Sequence, residues 1–251
     1  MEPLLNTISD RGVATLTFNR PDRANSYNAS MLDALADAFE RFGRDNAARV
    51  IVLRGIGKHF SAGAAIGEGG QPRRAVFEVC ELIDAVPKPT VAVVQGACIG
   101  GALALASCCD VIVASREASF SIPEVRLGFA PGPLIGFFAR AIGHRALRRY
   151  LLSGERFSAE EAHRIGLVQE LCDAQVIDSV ADKLIDEIML GAPGAAARAK
   201  HVLQKQAPNV LSADELRDLQ AAFDAMAASD EATEGHAAFK EKRKPNWYRP
   251  R

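Results

Sequence analysis

No stretch of this chain reaches the roughly 20 uninterrupted apolar residues that a membrane-spanning helix requires, so no membrane association is expected. Charge of one sign is equally absent. Thirty basic residues against 31 acidic ones leave a net charge of −1 and a pI of about 6.5, which gives no global field to draw in nucleic acid or an anionic surface. Met1 to Arg11 carries Glu2 and Asp10 and lacks the apolar core of a secretory signal. The cysteines Cys80, Cys98, Cys108, Cys109 and Cys172 are odd in number and show no C-x-x-C or Cys/His metal spacing. Set in apolar runs, they are expected to be reduced core thiols of a cytoplasmic protein.

Several cofactor and nucleophile signatures are missing as well. Gly55-Ile-Gly57 follows a strand-like run, yet Phe60 stands where a dinucleotide fingerprint needs its third glycine. Gly57-Lys58 is followed by His59 rather than Ser or Thr, which argues against a P-loop. There is no G-x-S-x-G elbow.

What the chain does have is apolar mass, 48% of its 251 residues, ample for a sizeable core. Leu4 to Ser9 and Val13 to Asn19 read as strands flanking a turn at Asp10-Arg11-Gly12. RPDRANSYN, residues 20–28, is a loop, and Ser30 is a plausible N-cap for a helix bearing Leu32, Leu35, Ala36, Phe39 and Phe42 on one face. Val50-Ile-Val-Leu53 is a buried strand, and Arg54 to Gly70 is too glycine-rich for regular structure. Arg73 to Val86 has helical spacing and is stopped by Pro87-Lys88-Pro89.

The organising stretch is Thr90 to Asp110. Thr90-Val-Ala-Val-Val94 shows no polar alternation and predicts a strand buried on both faces. Gln95 to Gly101 supplies a glycine turn, and Ala102 to Ala106 are helix formers. Such a turn leaves the first amides of the helix unpaired at the positive end of its dipole, and glycine lets another oxygen approach them: half of an oxyanion hole. The alternative is a tight connection whose glycines only ease packing. Asp110 to Ala114 predicts another buried strand, and Phe120 to Gly132 a loop holding one carboxylate. Helices follow on either side of Gly143, and capping boxes are expected at Ser158-Ala-Glu-Glu161 and Ser212-Ala-Asp-Glu215. A soft boundary falls at Gly191-Ala192-Pro193, with a helical module beyond.

IVLRGIGKHFSAGAAIGE (residues 51–68), VAVVQGACIGGALALASCCD and SFSIPEVRLGFAPG together resemble the enoyl-CoA hydratase/isomerase, or crotonase, superfamily. The likeness runs from RPDRANSYN to the terminal EGHAAFKEKRKPNW. It implies an α/β fold, a crotonase-like spiral of stacked ββα units over residues 1–191, with a C-terminal helical trimerisation module over 192–251.

The resemblance also implies a site. The amides of Ala64 and Gly101 would grip a thioester oxygen, and Glu124 would be the acid/base. The family's other glutamate falls on Ala104, and the usual S-A-G-A-D reads Ser61-Ala-Gly-Ala-Ala65 here. Coenzyme A, part of the substrate rather than a cofactor, would meet Arg23, Ala24, Ala62 and Ile66, with Phe239 and Lys242 reaching it from the C-terminal end. The implied activity is hydration of a 2-enoyl-CoA. Alternatives are a Δ3,Δ2-enoyl-CoA isomerase working with one glutamate and a non-catalytic acyl-CoA-binding oligomer. No metal or nicotinamide is called for, and a trimer or dimer of trimers is implied.

Taken as residues alone, Glu124 can equally be a solvated loop carboxylate, although Ile122-Pro123 and Val125 beside it would raise its pKa. Glu68, among glycines, is expected to be solvated. His59 is expected to be structural or exposed, and His144, Arg145, Arg148 and Arg149 to form a solvated basic face.

Overall fold

Runs that show no polar alternation become strands covered on both sides. In the computed structural model, which describes residues 2–206 and 212–248, β1 (Leu4–Ile8) and β2 (Val13–Phe18) form a hairpin, followed by α1 (Ala29–Arg44), β3 (Val50–Gly55), α2 (Val76–Ala85), β4 (Thr90–Val94), β5 (Ala97–Ile99) and α3 (Gly101–Ser107). Next come β6 (Val111–Ser115), β7 (Ser119–Ser121), the long α4 (Leu134–Ser153), β8 (Phe157–Ser158), α5 (Ala159–Arg164) and β9 (Glu170–Cys172). The chain then runs through α6 (Ile177–Leu190), α7 (Pro193–Gln206), α8 (Ala213–Ala227) and α9 (Asp230–Lys240).

The larger sheet has the order β1-β2-β3-β4-β6-β9, antiparallel only at its first pair. Val50, Val52, Val91, Val93 and Val113 pack on one face against Ile177, Ala181 and Ile185 of α6. Their sequence neighbours Ile51, Leu53, Ala92, Val94 and Ile112 face α1, α2 and α3 on the other. Each strand therefore has an apolar layer on both sides, which is why its residues do not alternate with polar ones. A smaller sheet, β5-β7-β8, is parallel between β5 and β7 and antiparallel between β7 and β8.

Most local signals held, but two caps differ, and Ala97–Ile99 and Ser119–Ser121 are short strands paired with each other in place of an expected glycine turn and loop start. The helix α1 is capped by Asn28, whose side chain accepts from the Met31 amide at 3.1 Å, while Ser30 lies inside the first turn and donates to that same Asn28 oxygen. Ser158 accepts from the Glu161 amide, but the reciprocal half of that capping box does not form, because Glu161 turns to Arg164 and the Tyr150 hydroxyl. The Ser212 box closes in both directions. Gly143 breaks α4 with φ 71° and ψ 154°, between two helical runs.

The C-terminal helices fold back on the chain. Lys200 of α7 pairs with Asp110 at 2.9 Å, Phe223 of α8 meets Phe129 edge-on at 5.4 Å, and Gly235 of α9 brings its backbone against Leu127. The spacing of Leu211, Leu216, Leu219, Phe223 and Met226 predicts an apolar helix face; Leu216 is buried, and Leu211 lies outside the described residues. No helix among the described residues is long and apolar enough to cross a membrane.

Candidate active site

Three parallel segments enter the site in register. Ser61 is bridged to Cys98, and Cys98 pairs with Phe120 across β5 and β7. The Ser61 amide donates to Ala97 at 3.0 Å, Ile99 donates back to Ser61 at 3.1 Å, and the Gly100 amide donates to Ser121 at 2.9 Å. Ala64 and Gly101 each lie three positions past that bridged pair, and Glu124 lies four past Phe120. A shared register thus delivers residues that are distant in sequence to one end of one small sheet.

Gly101 opens α3, so its N–H has no intrahelical acceptor and lies at the positive end of the helix. The sharp reversal before it falls on Gly100, at φ 57° and ψ −129°, a conformation that favours glycine. The Ala64 amide donates to no described residue. Its peptide is nonetheless held on both sides, since Tyr27 donates to Gly63 at 2.9 Å and Ala65 donates to Tyr27 at 2.8 Å. A Cβ at Gly63 would stand 2.9 Å from the Ile99 carbonyl oxygen, so only glycine lets these two segments approach as they do.

Glu124 begins a short 3-10 turn, Glu124–Leu127, and is 8% exposed. Its Oε1 lies 2.9 Å from where a Cβ on Gly100 would sit, and its Oε2 is buried without a hydrogen-bond partner among the described residues. Burial pushes the carboxyl up to about 7, against a smaller opposing pull from its own backbone amide. Such a group holds or releases a proton near neutral pH. Ala104, one turn along α3 from Gly101, is fully buried and brings only a methyl group.

Residues 9–250 match the family model for enoyl-CoA hydratase/isomerase. The chain belongs to the enoyl-CoA hydratase/isomerase family. It is 31% identical over 246 residues to the 2,3-dehydroadipyl-CoA hydratase of Escherichia coli strain K12, covering 94% of each chain. Among solved structures it is similar to an enoyl-CoA hydratase from Mycobacterium avium subsp. paratuberculosis K-10, with a TM-score of 0.86 and 30% identity over 98% of this chain and 99% of that one. It is also similar to a methylmalonyl-CoA decarboxylase, with a TM-score of 0.84 and 26% identity over 98% and 97% of the two chains. The fold is the crotonase fold.

Within that family frame, the residues expected around coenzyme A divide into two groups. Arg23, Ala24 and Ala62 are brought together: Arg23 ends a 3-10 turn, Pro21–Arg23, and the Ala62 amide donates to the Ala24 carbonyl at 2.9 Å. Ile66, in the adjoining glycine loop, is 52% exposed. Phe239 and Lys242 lie instead at the exposed end of α9, and among the described residues no hydrogen bond or ion pair joins them to the first group.

Other polar residues have structural partners. His59 accepts the Ala97 amide on Nδ1 at 3.0 Å, and burial, followed by Lys58 and Arg156, lowers its pKa. Asp110 accepts from the Thr90 amide and hydroxyl at 2.7 and 2.9 Å. Glu68, expected to be solvated, is exposed and also accepts from Arg20 at 2.6 Å and Asn28 at 3.1 Å, and the Arg20 bond leads in holding its pKa below the ordinary range. The glycine loop is therefore tied to the entrance of α1.

Two residues of RPDRANSYN escaped the sequence reading. Asn25 is fully buried; its Oδ1 accepts from the Arg20 amide at 2.9 Å, and its Nδ2 donates to Ile56 and His59 carbonyls at 2.9 and 2.7 Å. Tyr27 is the other. The available signal was an amide and an aromatic ring inside an otherwise polar loop.

Proposed function

We propose that the protein is an enoyl-CoA hydratase-type lyase that adds water across the double bond of a 2-enoyl-CoA thioester. The observation that carries the reading is Glu124, a buried carboxyl titrating near neutrality, set against the Gly100-Gly101 turn. The amides of Ala64 and Gly101 take the thioester oxygen. Water bonds through its oxygen to the β-carbon, the π electrons move towards the thioester oxygen, and the neutral Glu124 carboxyl delivers its proton to the α-carbon. The remaining water proton passes to the other carboxyl oxygen, which restores the acid. Two aligned donors stabilise the enolate charge; removing one typically costs about 3 kcal/mol.

Ala104 favours a second reading, Δ3,Δ2-enoyl-CoA isomerisation, in which ionised Glu124 takes a proton from C2 of a 3-enoyl thioester and returns it at C4. A non-catalytic acyl-CoA-binding oligomer is the third. Loss of the enoyl absorbance of crotonyl-CoA tests hydration. Conversion of 3-enoyl substrates without uptake of water by 2-enoyl ones establishes isomerisation, and binding without either leaves the third reading.

In the proposed complex Arg23, Ala24, Ala62 and Ile66 line the path of coenzyme A. Phe239 and Lys242 approach it from a neighbouring subunit of a trimer or dimer of trimers, a reading supported by the exposure of the large apolar Phe239 side chain. Light scattering that gives a monomer removes that assembly. The reaction as written uses groups of the chain alone, with no resident cofactor.

A further inference from the structure

Tyr27 is a large side chain at this site with no part in the reaction as written. Its backbone is bridged in parallel to Ala64, so it leaves the chain beside one of the two donor amides. Its side chain then crosses to the other. A Cβ on Gly101 would collide with the Tyr27 hydroxyl and lie 3.0 Å from Cζ and 3.4 Å from Cε1. The ring is buried, at 9% exposure. Glu124 Oε1 occupies the equivalent position on the preceding glycine, 2.9 Å from a Cβ there. The phenol and the carboxyl therefore flank the same two-glycine turn.

The electrostatic setting keeps this hydroxyl a donor. Desolvation first, then the negative charge of Glu124 and the Cys80 thiol of α2, raise the phenol above its ordinary value, and no hydrogen bond among the described residues contributes. A proton held this firmly and not committed to any described residue is available to an incoming acceptor.

We propose that Tyr27 is a further catalytic residue whose hydroxyl donates a third hydrogen bond to the thioester oxygen, beside the amides of Ala64 and Gly101. The inference rests on the reading of the site as one that takes an acyl-CoA thioester. No covalent bond is made or broken at the phenol, and its proton stays on the phenol oxygen. The bond strengthens as the carbonyl becomes an enolate, because the oxygen then carries more negative charge, so it acts on the transition state more than on the bound substrate. It also gives Gly101 a second reason to lack a Cβ: the space is occupied by the hydroxyl.

The test uses Tyr27→Phe, which keeps the ring, with acetoacetyl-CoA as probe, an acidic thioester whose enolate absorbs in the near ultraviolet. Wild-type protein should bind the probe and lower the pH at which it ionises. In the variant, kcat should fall roughly 10- to 100-fold with KM changed less than about threefold, butyryl-CoA affinity should be retained, and the ionisation midpoint of the bound probe should rise. Incorporation of 3-fluorotyrosine at position 27, a stronger donor of nearly the same size, should lower that midpoint and supplies the answer if Tyr27→Phe fails to fold. Unchanged kcat and midpoint in a folded Tyr27→Phe, or no effect of fluorination, would make the ring a packing element and overturn the proposal while leaving the thioester reading intact. Failure of the wild-type protein to bind acetoacetyl-CoA would overturn both.

Discussion

Replacing Glu124 with Gln should remove activity and, at neutral to alkaline pH, make the fold more stable. Burial moves this carboxyl from 4.5 to about 7. Between those values the folded chain keeps a proton that the unfolded chain has lost, so the group's contribution to stability is fully present below the lower value. It declines as pH rises through the interval and levels off above about 7. At about 1.4 kcal/mol per unit, ionising the buried carboxylate costs on the order of 3 kcal/mol by about pH 8. Glutamine keeps the shape and does not titrate. The stability of Glu124→Gln minus that of wild type, from denaturant unfolding at a series of pH values, should therefore change little below about pH 4.5 and grow by up to roughly 3 kcal/mol by about pH 8. The other carboxylates cancel in the difference. Turnover should fall by about 10²- to 10⁴-fold, as for loss of a general acid, while CoA binding is retained. A stability difference independent of pH, or one that shrinks as pH rises, would refute the burial argument.

The pH dependence of kcat/KM separates the two chemistries, because hydration as proposed starts from neutral Glu124 and should decline above about pH 7, whereas isomerisation starts from the carboxylate and should rise through the same region. Gly101→Ala places a methyl group on the Tyr27 hydroxyl; turnover should drop roughly 10²- to 10³-fold, the effect of a displaced oxyanion donor, and near wild-type turnover would show that this amide is not used. Asn25→Ala strands a buried amide and two carbonyls, and a loss of about 3 kcal/mol on denaturant unfolding is expected; a loss under about 1 kcal/mol would mean those groups find other partners.

The larger sheet was legible because its signal is collective. Thr90-Val-Ala-Val-Val94 gave a strand with the observed bounds, since four consecutive apolar positions after a buried threonine report two covered faces. Strands β5 and β7, three residues each, were not legible: Ala97–Ile99 lies between Gly96 and Gly100, and Ser119–Ser121 enters a Pro-Glu loop, so neither is long enough to show a period. These two carry the register that brings the Gly100-Gly101 turn and the Glu124 turn to one end of the small sheet, so the candidate site's geometry was hidden even though family resemblance singled out its candidate residues. Glu68 is exposed as expected, but its pairing was not legible for a related reason, because its partners Arg20 and Asn28 are 48 and 40 positions away. The Asn28 cap escaped notice because Ser30, a similar capping type, stands two residues later and donates to the cap itself.

The most direct measurement is a crystal structure with a non-reacting acyl-CoA bound. The account predicts the thioester oxygen at roughly 2.7–3.1 Å from the amides of both Ala64 and Gly101, with the Glu124 carboxyl against the α-carbon. A thioester lodged elsewhere, or an oxygen facing neither amide, would contradict it.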